Sequence, residues 1–138
     1  MDFKKIISFL TDLGKNNNKV WFQTNNENYQ YAKAKFEEFI DILIPMLKEV
    51  DNDIDVESSK ECIFRIFRDV RFFKNKSPYK TNFGAFIAEG GRKSKHAGYY
   101  LHVEPNKSFI GGGIYMPSPE ILIAIRTHIY ENIKDFNA

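Results

Sequence analysis

Residues 99–115 read YYLHVEPNKSFIGGGIY, and this stretch decides the fold class. Tyr99 to Glu104 alternates in side-chain character, which is typical of a strand with one face against a core. Pro105-Asn106 is a turn signal, and Ser108 to Tyr115 then reads as the returning strand. The pattern predicts an antiparallel hairpin.

The first strand of this hairpin has one polar face. Leu101 and Val103 are expected to face the core, whereas Tyr100, His102 and Glu104 lie on the other side. A histidine and a carboxylate on one strand face can share a proton or orient each other, so His102 and Glu104 are candidate catalytic residues. Exposed strand faces also carry such residues without a function, and both interpretations stay open.

Helical periodicity dominates the N-terminal half of the chain. Residues 3–13 predict a first helix that ends at Gly14. The apolar residues Val20-Trp21-Phe22 form a short segment after a polar loop. A second helix is predicted from Asn25 or Asn26 to about Lys48, with a kink or an early end at Pro45.

A third strand and a last helix complete the pattern. Thr81 to Ala88 is the additional strand, and a helix is predicted from Pro119 to about Lys134. The buried stripe of this helix is predicted to be Ile121, Leu122, Ile125, Ile129 and Ile133. The order predicts one α+β domain over residues 1–138, with two N-terminal helices, a small antiparallel sheet and a C-terminal helix packed on it.

Composition narrows the protein class. The chain has 138 residues, and its 13 phenylalanines predict a phenylalanine-rich core. The single cysteine, Cys62, cannot form an internal disulfide and is expected to be a buried thiol. The sequence shows no secretory signal and no membrane span, so we expect a cytoplasmic protein. The three histidines lack metal-ligand spacing, and neither a metal nor a cofactor is predicted.

Positive charge is concentrated in residues 60–80. This stretch holds seven basic and two acidic residues, a local charge of +5, whereas the rest of the chain carries 13 basic and 16 acidic residues. Such a cluster creates a local field that attracts anions. The predicted ligand-binding residues are Arg65, Arg68, Arg71, Lys76, Tyr79, Lys80 and Tyr100.

A structural role for the same charges is the alternative. Arg65 and Arg68 would then pair with Asp69 and Glu61, leaving exposed lysines beside them. Phenylalanines surround the charges and would hold some arginines as internal struts, which favours Arg71, Lys76 and Lys80 as the ligand contacts.

Two segments resist a single interpretation. Residues 62–73 fit a helical period except at Phe64 and Phe72, but a strand from Ile63 to Phe67 followed by a loop is favoured. Gly111-Gly112-Gly113 matches no nucleotide-binding fingerprint. Within a strand it indicates a bulge or a close backbone approach, by a neighbouring element or by a ligand.

Four blocks, in order, resemble a known bacterial family. They are residues 10–22, residues 63–81 with IFRIFRDVRF and KSPYKT, residues 98–105 and residues 111–117. Together they resemble the signature of the family called domain of unknown function 2461. Phe73 and Asn75 stand where that pattern has a serine and an aspartate. The family usually continues well beyond the helix that contains Arg126, which implies that this chain lacks the family's C-terminal part.

Three functions fit these observations, because the resemblance implies no activity. The first is a module that binds a phosphate-bearing or other anionic ligand, either a small molecule or a nucleic acid. The second is an enzyme acting on such a ligand, with Asp69, His102 and Glu104 as candidate catalytic residues. The third is a partner-binding domain with a structural charge cluster and an exposed apolar patch around Trp21-Phe22. The oligomeric state stays open.

Overall fold

Three helices form the N-terminal part of the computed structural model, which describes residues 2–138. The Asp2 side chain caps the first helix by accepting a hydrogen bond from an amide of the first turn. The first helix continues through Gly14, and the predicted short apolar segment at residues 20–22 is helical, with Asn18 as its cap. The helices are α1 (Phe3–Lys15), α2 (Lys19–Thr24) and α3 (Asn26–Lys48).

The second predicted helix, α3, ends where the sequence indicated. It passes through Pro45 and continues to Lys48, so the proline does not end it early. Proline removes only its own amide donor, and its carbonyl still accepts a hydrogen bond from Glu49 N at 3.3 Å.

Three antiparallel strands form the sheet, in the order β1–β2–β3. They are β1 (Phe83–Ala88), β2 (Gly98–Val103) and β3 (Phe109–Gly113). Their register is continuous, with Ala85 opposite Leu101 and Leu101 opposite Ile110. The glycine run of β3 therefore contains no bulge, which removes one of the two explanations for it.

The segment before β1 is extended but joins no regular strand. Phe64 N donates to Gly84 O at 3.0 Å, so this part of the chain runs beside β1. Further on, Lys80 N donates to Ile66 O at 2.8 Å, which closes a hairpin between residues 66 and 80. The helical alternative for residues 62–73 is wrong, because the backbone donors here bond to distant partners.

Asn17 ties the N-terminal helices to this hairpin. Its side-chain amide donates to Tyr79 O at 2.9 Å, and its side-chain oxygen accepts from Tyr79 N at 3.1 Å. The Tyr79 ring is stacked on Phe22, with 4.0 Å between ring centroids. One side chain thus satisfies both backbone groups of a residue that lies 62 positions away.

The helices pack on one face of the sheet. Phe83, Ala85 and Ile87 of β1 are at most 2% exposed, and the Phe83 ring stacks on Phe36 of α3. The predicted phenylalanine-rich core is found only in part: Phe9, Phe22, Phe36 and Phe83 belong to the core, whereas six of the 13 phenylalanines are exposed. Cys62 is fully buried as predicted, and burial raises the pKa of its thiol to about 11.

The C-terminal helices differ from the expectation. They are α4 (Pro119–Glu131) and α5 (Ile133–Phe136), and neither contains a buried residue. Ser118 caps α4 as its sequence indicates. The predicted buried stripe is wrong at Ile125 and Ile133, which are exposed, while Ile121, Leu122 and Ile129 are half-buried. Helical periodicity reports an apolar face but not how much of that face the protein covers.

The architecture is α+β, as predicted, with N-terminal helices, a three-stranded antiparallel sheet and C-terminal helices. Within residues 2–138, no helix combines the length and the apolar character that crossing a bilayer requires.

Candidate functional site

Strand β2 separates two environments. Tyr99, Leu101 and Val103 pack against the helical core, and the intervening side chains point to the opposite face. That face carries Tyr100 and His102, followed by Glu104 just beyond the strand end. The alternation read from the sequence therefore placed these side chains on the correct sides.

His102 is the centre of a hydrogen-bonded chain on this opposite face. Its Nε2 is 2.8 Å from Glu104 Oε2, and its Nδ1 is 2.9 Å from the hydroxyl of Tyr100. The Thr81 hydroxyl donates to Glu104 Oε1 at 3.1 Å, which fixes the carboxylate. The Asn82 amide nitrogen lies 3.3 Å from His102 Nδ1. We refer to Tyr100, His102 and Glu104 as the relay.

Hydrogen-bond chemistry shows which groups of the relay donate and which accept. The hydrogen bond from His102, aided by Thr81, holds the pKa of Glu104 below its ordinary value, so this group is a carboxylate and only accepts. The ring nitrogen that faces it therefore carries the hydrogen, and with that tautomer Nδ1 is the acceptor for the Tyr100 hydroxyl. Burial, reinforced by the Glu104 charge, raises the pKa of Tyr100 and keeps its hydroxyl protonated.

A cleft of about 1090 Å³ lies over this side of the sheet, and the relay residues Tyr100 and His102 line it. We call it the sheet cleft. Its aromatic lining includes Phe64, Phe109 and Tyr115. The Phe109 ring is stacked on the His102 ring, with 4.8 Å between centroids, and is 53% exposed.

Glycines keep the floor of the sheet cleft open. A Cβ on Gly84 would lie 2.9 Å from the Tyr100 hydroxyl, so the missing side chain makes room for the relay. A Cβ on Gly111 would meet nothing within 4 Å. No neighbouring element of residues 2–138 therefore approaches this position. Gly113 has φ +134°, a conformation that requires glycine.

Four cations and no carboxylate line the sheet cleft within residues 2–138. The cations are Arg65, Lys80, Arg92 and Lys95. Arg92 is held by a 2.7 Å hydrogen bond to Lys60 O, and Lys80 Nζ lies 5.8 Å from the centroid of the Phe64 ring. Burial, followed by the charge of Arg65, lowers the pKa of Lys80. The surroundings of Lys80 therefore disfavour the protonated form of its amine.

The other predicted cations belong to the tip of the hairpin. Arg71 forms a bidentate pair with Asp69 at 2.7 and 3.0 Å, and Lys76 Nζ donates to Val70 O at 2.7 Å. Arg68 donates to Ser77 O at 3.0 Å. These contacts stay within residues 68–77 and close the tip on itself. The ion pair is therefore Asp69 with Arg71, rather than with Arg65 or Arg68.

Three sequence predictions change in consequence. Tyr79 was predicted to bind ligand, but its ring is 6% exposed and stacked on Phe22 in the core. Asp69 was a candidate catalytic residue, but it does not line the cleft, and its hydrogen bonds to Arg71 lower its pKa. Trp21 and Phe22 pack in or against the core, so they form no exposed apolar patch.

Sequence reasoning missed several cleft residues. Arg92 and Lys95 lie in the basic loop that joins β1 to β2, a position from which side chains reach the sheet face. Phe109 lies opposite His102, which follows directly from the hairpin register once the turn is known. Among residues 2–138, no three histidine, cysteine, aspartate or glutamate side chains come together as a metal site.

Comparison with known proteins gives a family and no activity. The model of one protein family, described as conserved hypothetical protein (DUF2461), matches residues 5–138. No curated protein and no solved structure matches the chain.

Proposed function

Because the chain belongs to the domain of unknown function 2461 family, whose description names no reaction, we propose a function from the geometry of the cleft: it binds a phosphate-bearing or otherwise anionic ligand. One observation carries this proposal. Four cations line the sheet cleft, and no carboxylate of residues 2–138 lines it beside them. Structural ion-pair clusters bring both signs together, as Asp69 and Arg71 do, whereas a site for an anion leaves its cations available.

The state of Lys80 supports the proposal. Its amine is partly buried beside Arg65, and both effects disfavour its charge. Such an arrangement lowers the stability of the free protein, and perturbed groups in clefts are common at functional sites. A bound anion would offset the repulsion between the two cations.

The aromatic lining favours a ligand that also carries a flat ring. Phe109 and Tyr115 are 53% and 86% exposed, although large aromatic side chains are usually buried. Both line the sheet cleft, and the open position at Gly111 leaves space for a ring against the strand. Nucleotides combine a phosphate with such a ring.

The test compares two charge-matched double variants. Arg65→Ala/Lys80→Ala removes two cations of the sheet cleft, and Arg71→Ala/Lys76→Ala removes two cations of the hairpin tip. Thermal shift with nucleoside mono-, di- and triphosphates should show stabilisation of the wild type and of the tip variant, and its loss in the cleft variant. Salt should reduce the shift. Equal shifts in all three proteins, or no stabilisation by any of these ligands, would refute the proposal.

The relay favours a second candidate, an enzyme that acts on such a ligand. A nucleophile within hydrogen-bonding distance of a base, itself oriented by a third group, is the arrangement of activated nucleophiles. Here Tyr100 would attack a phosphoester, His102 Nδ1 would take its proton, and the leaving group would depart with the electron pair of the broken P–O bond. Water would then attack the phosphorus of the phosphotyrosyl intermediate, which returns the Tyr100 hydroxyl and releases the phosphate product.

Two measurements test the enzyme candidate. Bis(4-nitrophenyl) phosphate should release one nitrophenolate with the wild type, and intact mass should show an adduct of one 4-nitrophenyl phosphoryl group. Tyr100→Phe should abolish both signals, and His102→Asn should reduce them, while Asp69→Asn leaves them unchanged. Turnover that survives in Tyr100→Phe would exclude the nucleophile role.

A further inference from the structure

A second cleft of about 620 Å³ lies between α3 and the extended segment before β1. We call it the helix cleft. It shares four lining residues with the sheet cleft: Phe64, Arg65, Lys80 and Arg92. The two clefts therefore meet at the Phe64–Arg65 segment, with the arginine available to both.

The helix cleft is more basic than the sheet cleft. Its lining cations are Lys33, Lys60, Arg65, Lys80, Arg92 and Lys93. Glu37 is its one lining carboxylate within residues 2–138. Its Oε1 lies 3.6 Å from Nζ of Lys33, which precedes it by one helical turn. Together the two clefts are lined by seven cations from α3, the segment before β1, the end of the hairpin and the β1–β2 loop, and three of these cations border both clefts.

We propose that the anionic ligand is a single-stranded nucleic acid that spans both clefts. This inference rests on the proposed function of the sheet cleft and extends it to a ligand with several phosphates. A mononucleotide would neutralise the cations of one cleft only. A phosphate backbone crossing at Arg65 would meet cations on both sides of it.

The aromatic side chains favour a single strand over a duplex. Phe109 and Tyr115 present exposed rings in the sheet cleft, and unpaired bases stack on such rings. In a duplex the base faces are already covered by neighbouring base pairs, and only the backbone would reach the cations. The helix cleft contributes charge, and the sheet cleft contributes charge and stacking.

The experiment measures the binding of fluorescein-labelled thymidine oligomers by anisotropy across a salt series. For single strands, log K falls with log salt by about 0.7 per phosphate contact, so the four cations of the sheet cleft correspond to a slope of about −3 and all seven to about −5. A five-nucleotide oligomer has four phosphates and should approach the first value, and a twelve-nucleotide oligomer should bind more tightly and approach the second.

The variant Lys33→Ala/Lys60→Ala isolates the helix cleft. It should weaken binding of the twelve-nucleotide oligomer, make its salt slope shallower by about 1.4, and leave the affinity of the five-nucleotide oligomer unchanged. The control Lys4→Ala/Lys5→Ala removes two exposed charges that line neither cleft and should change neither affinity. Thermal melts of both variants verify folding.

Each alternative outcome is distinct. Equal slopes for the short and long oligomers, or no effect of Lys33→Ala/Lys60→Ala, would overturn the two-cleft ligand while leaving the sheet cleft proposal intact. A duplex or inorganic polyphosphate that binds as tightly as the single strand would overturn the stacking argument and with it the ligand class. If neither oligomer binds, and Arg65→Ala/Lys80→Ala does not change the thermal shift with nucleotides, the proposed function itself is refuted.

Discussion

The two faces of the sheet are built from the same strands but follow different rules. On the helical face, Phe83 is 2% exposed and its ring stacks on a second buried phenylalanine. On the other face, Phe109 is 53% exposed and its ring stacks on a histidine. Neighbouring residues of β2 belong to opposite faces. The contrast also follows the strands, because β1 is buried on both faces and β3 is exposed on both. It teaches that the packed core is centred on the helical face of β1, whereas the opposite face opens toward β3 and leaves Phe109 exposed.

The sharpest test exchanges a phenylalanine on each face for alanine. Phe83→Ala removes a buried ring from a packed core and should lower the free energy of unfolding by about 3–5 kcal/mol. Phe109→Ala removes an exposed ring and should lower it by about 1 kcal/mol, mainly through the lost contact with His102. Urea unfolding of both variants measures the difference, and similar losses would break the comparison.

The second comparison uses two glycines of the sheet, Gly98 and Gly111. A Cβ on Gly98 would lie 2.5 Å from Ala88 Cβ and 2.6 Å from Ile87 O, whereas one on Gly111 would meet nothing within 4 Å. Gly98→Ala should therefore lower the free energy of unfolding by about 1–3 kcal/mol through overpacking. Gly111→Ala should leave stability within about 0.5 kcal/mol and still weaken ligand binding, since the new methyl group enters the sheet cleft. A strongly destabilised Gly111→Ala would show that packing requires this glycine.

Acidic pH should lower the stability of the protein through Glu104 of the relay. The pKa of Glu104 is lowered in the folded protein, so its contribution to stability is present above the unfolded pKa, near 4.5, and is lost as the pH falls through the lower folded pKa. The stability of the wild type relative to Glu104→Gln should therefore decline between pH 6 and pH 3. Glu120→Gln, on an exposed position of α4, serves as the control and should show a smaller change. A difference that does not depend on pH would remove the charged hydrogen bond from the account.

Replacing Lys80 should have the smallest effect on stability, and the expected change is a slight gain rather than a loss. Because its pKa is lowered on folding, the protonated lysine reduces stability. This deficit is fully present below the folded pKa and disappears as the pH rises past the unfolded pKa, near 10.5. At pH 7, Lys80→Met should melt at the same temperature as the wild type or slightly higher. Lys76→Met should melt slightly lower, because Lys76 donates to Val70 O. A marked loss of stability in Lys80→Met would show that the lysine is structural.

Sequence patterns predicted the helices and strands whose formation depends on residues close to each other in the sequence. The alternation along β2 and the periodicity of α1 and α3 each depend on neighbouring residues, and those elements are where the sequence placed them. The segment before β1 has no such pattern, because Phe64 bonds to Gly84 while Ile66 bonds to Lys80. Its conformation depends on pairings that lie 20 and 14 residues away, as the residue numbers show.

The candidate site was predicted only in part for the same reason. Charge concentration identified Arg65 and Lys80, but it gave equal weight to Arg71 and Lys76, which bond within the hairpin tip. Which cations remain available depends on where the chain folds back. A window of composition cannot report this, and it also missed Arg92, which arrives from another loop.

Asn17 has a consequence for association between molecules. A hairpin edge exposes amide and carbonyl groups that a strand of another chain can use to add on, and such edges promote aggregation. The side-chain amide of Asn17 offers Tyr79 one donor and one acceptor, as a peptide group of an added strand would. A single asparagine thus closes the edge beside the basic segment, where an added strand would otherwise bring a second copy of the same positive charge.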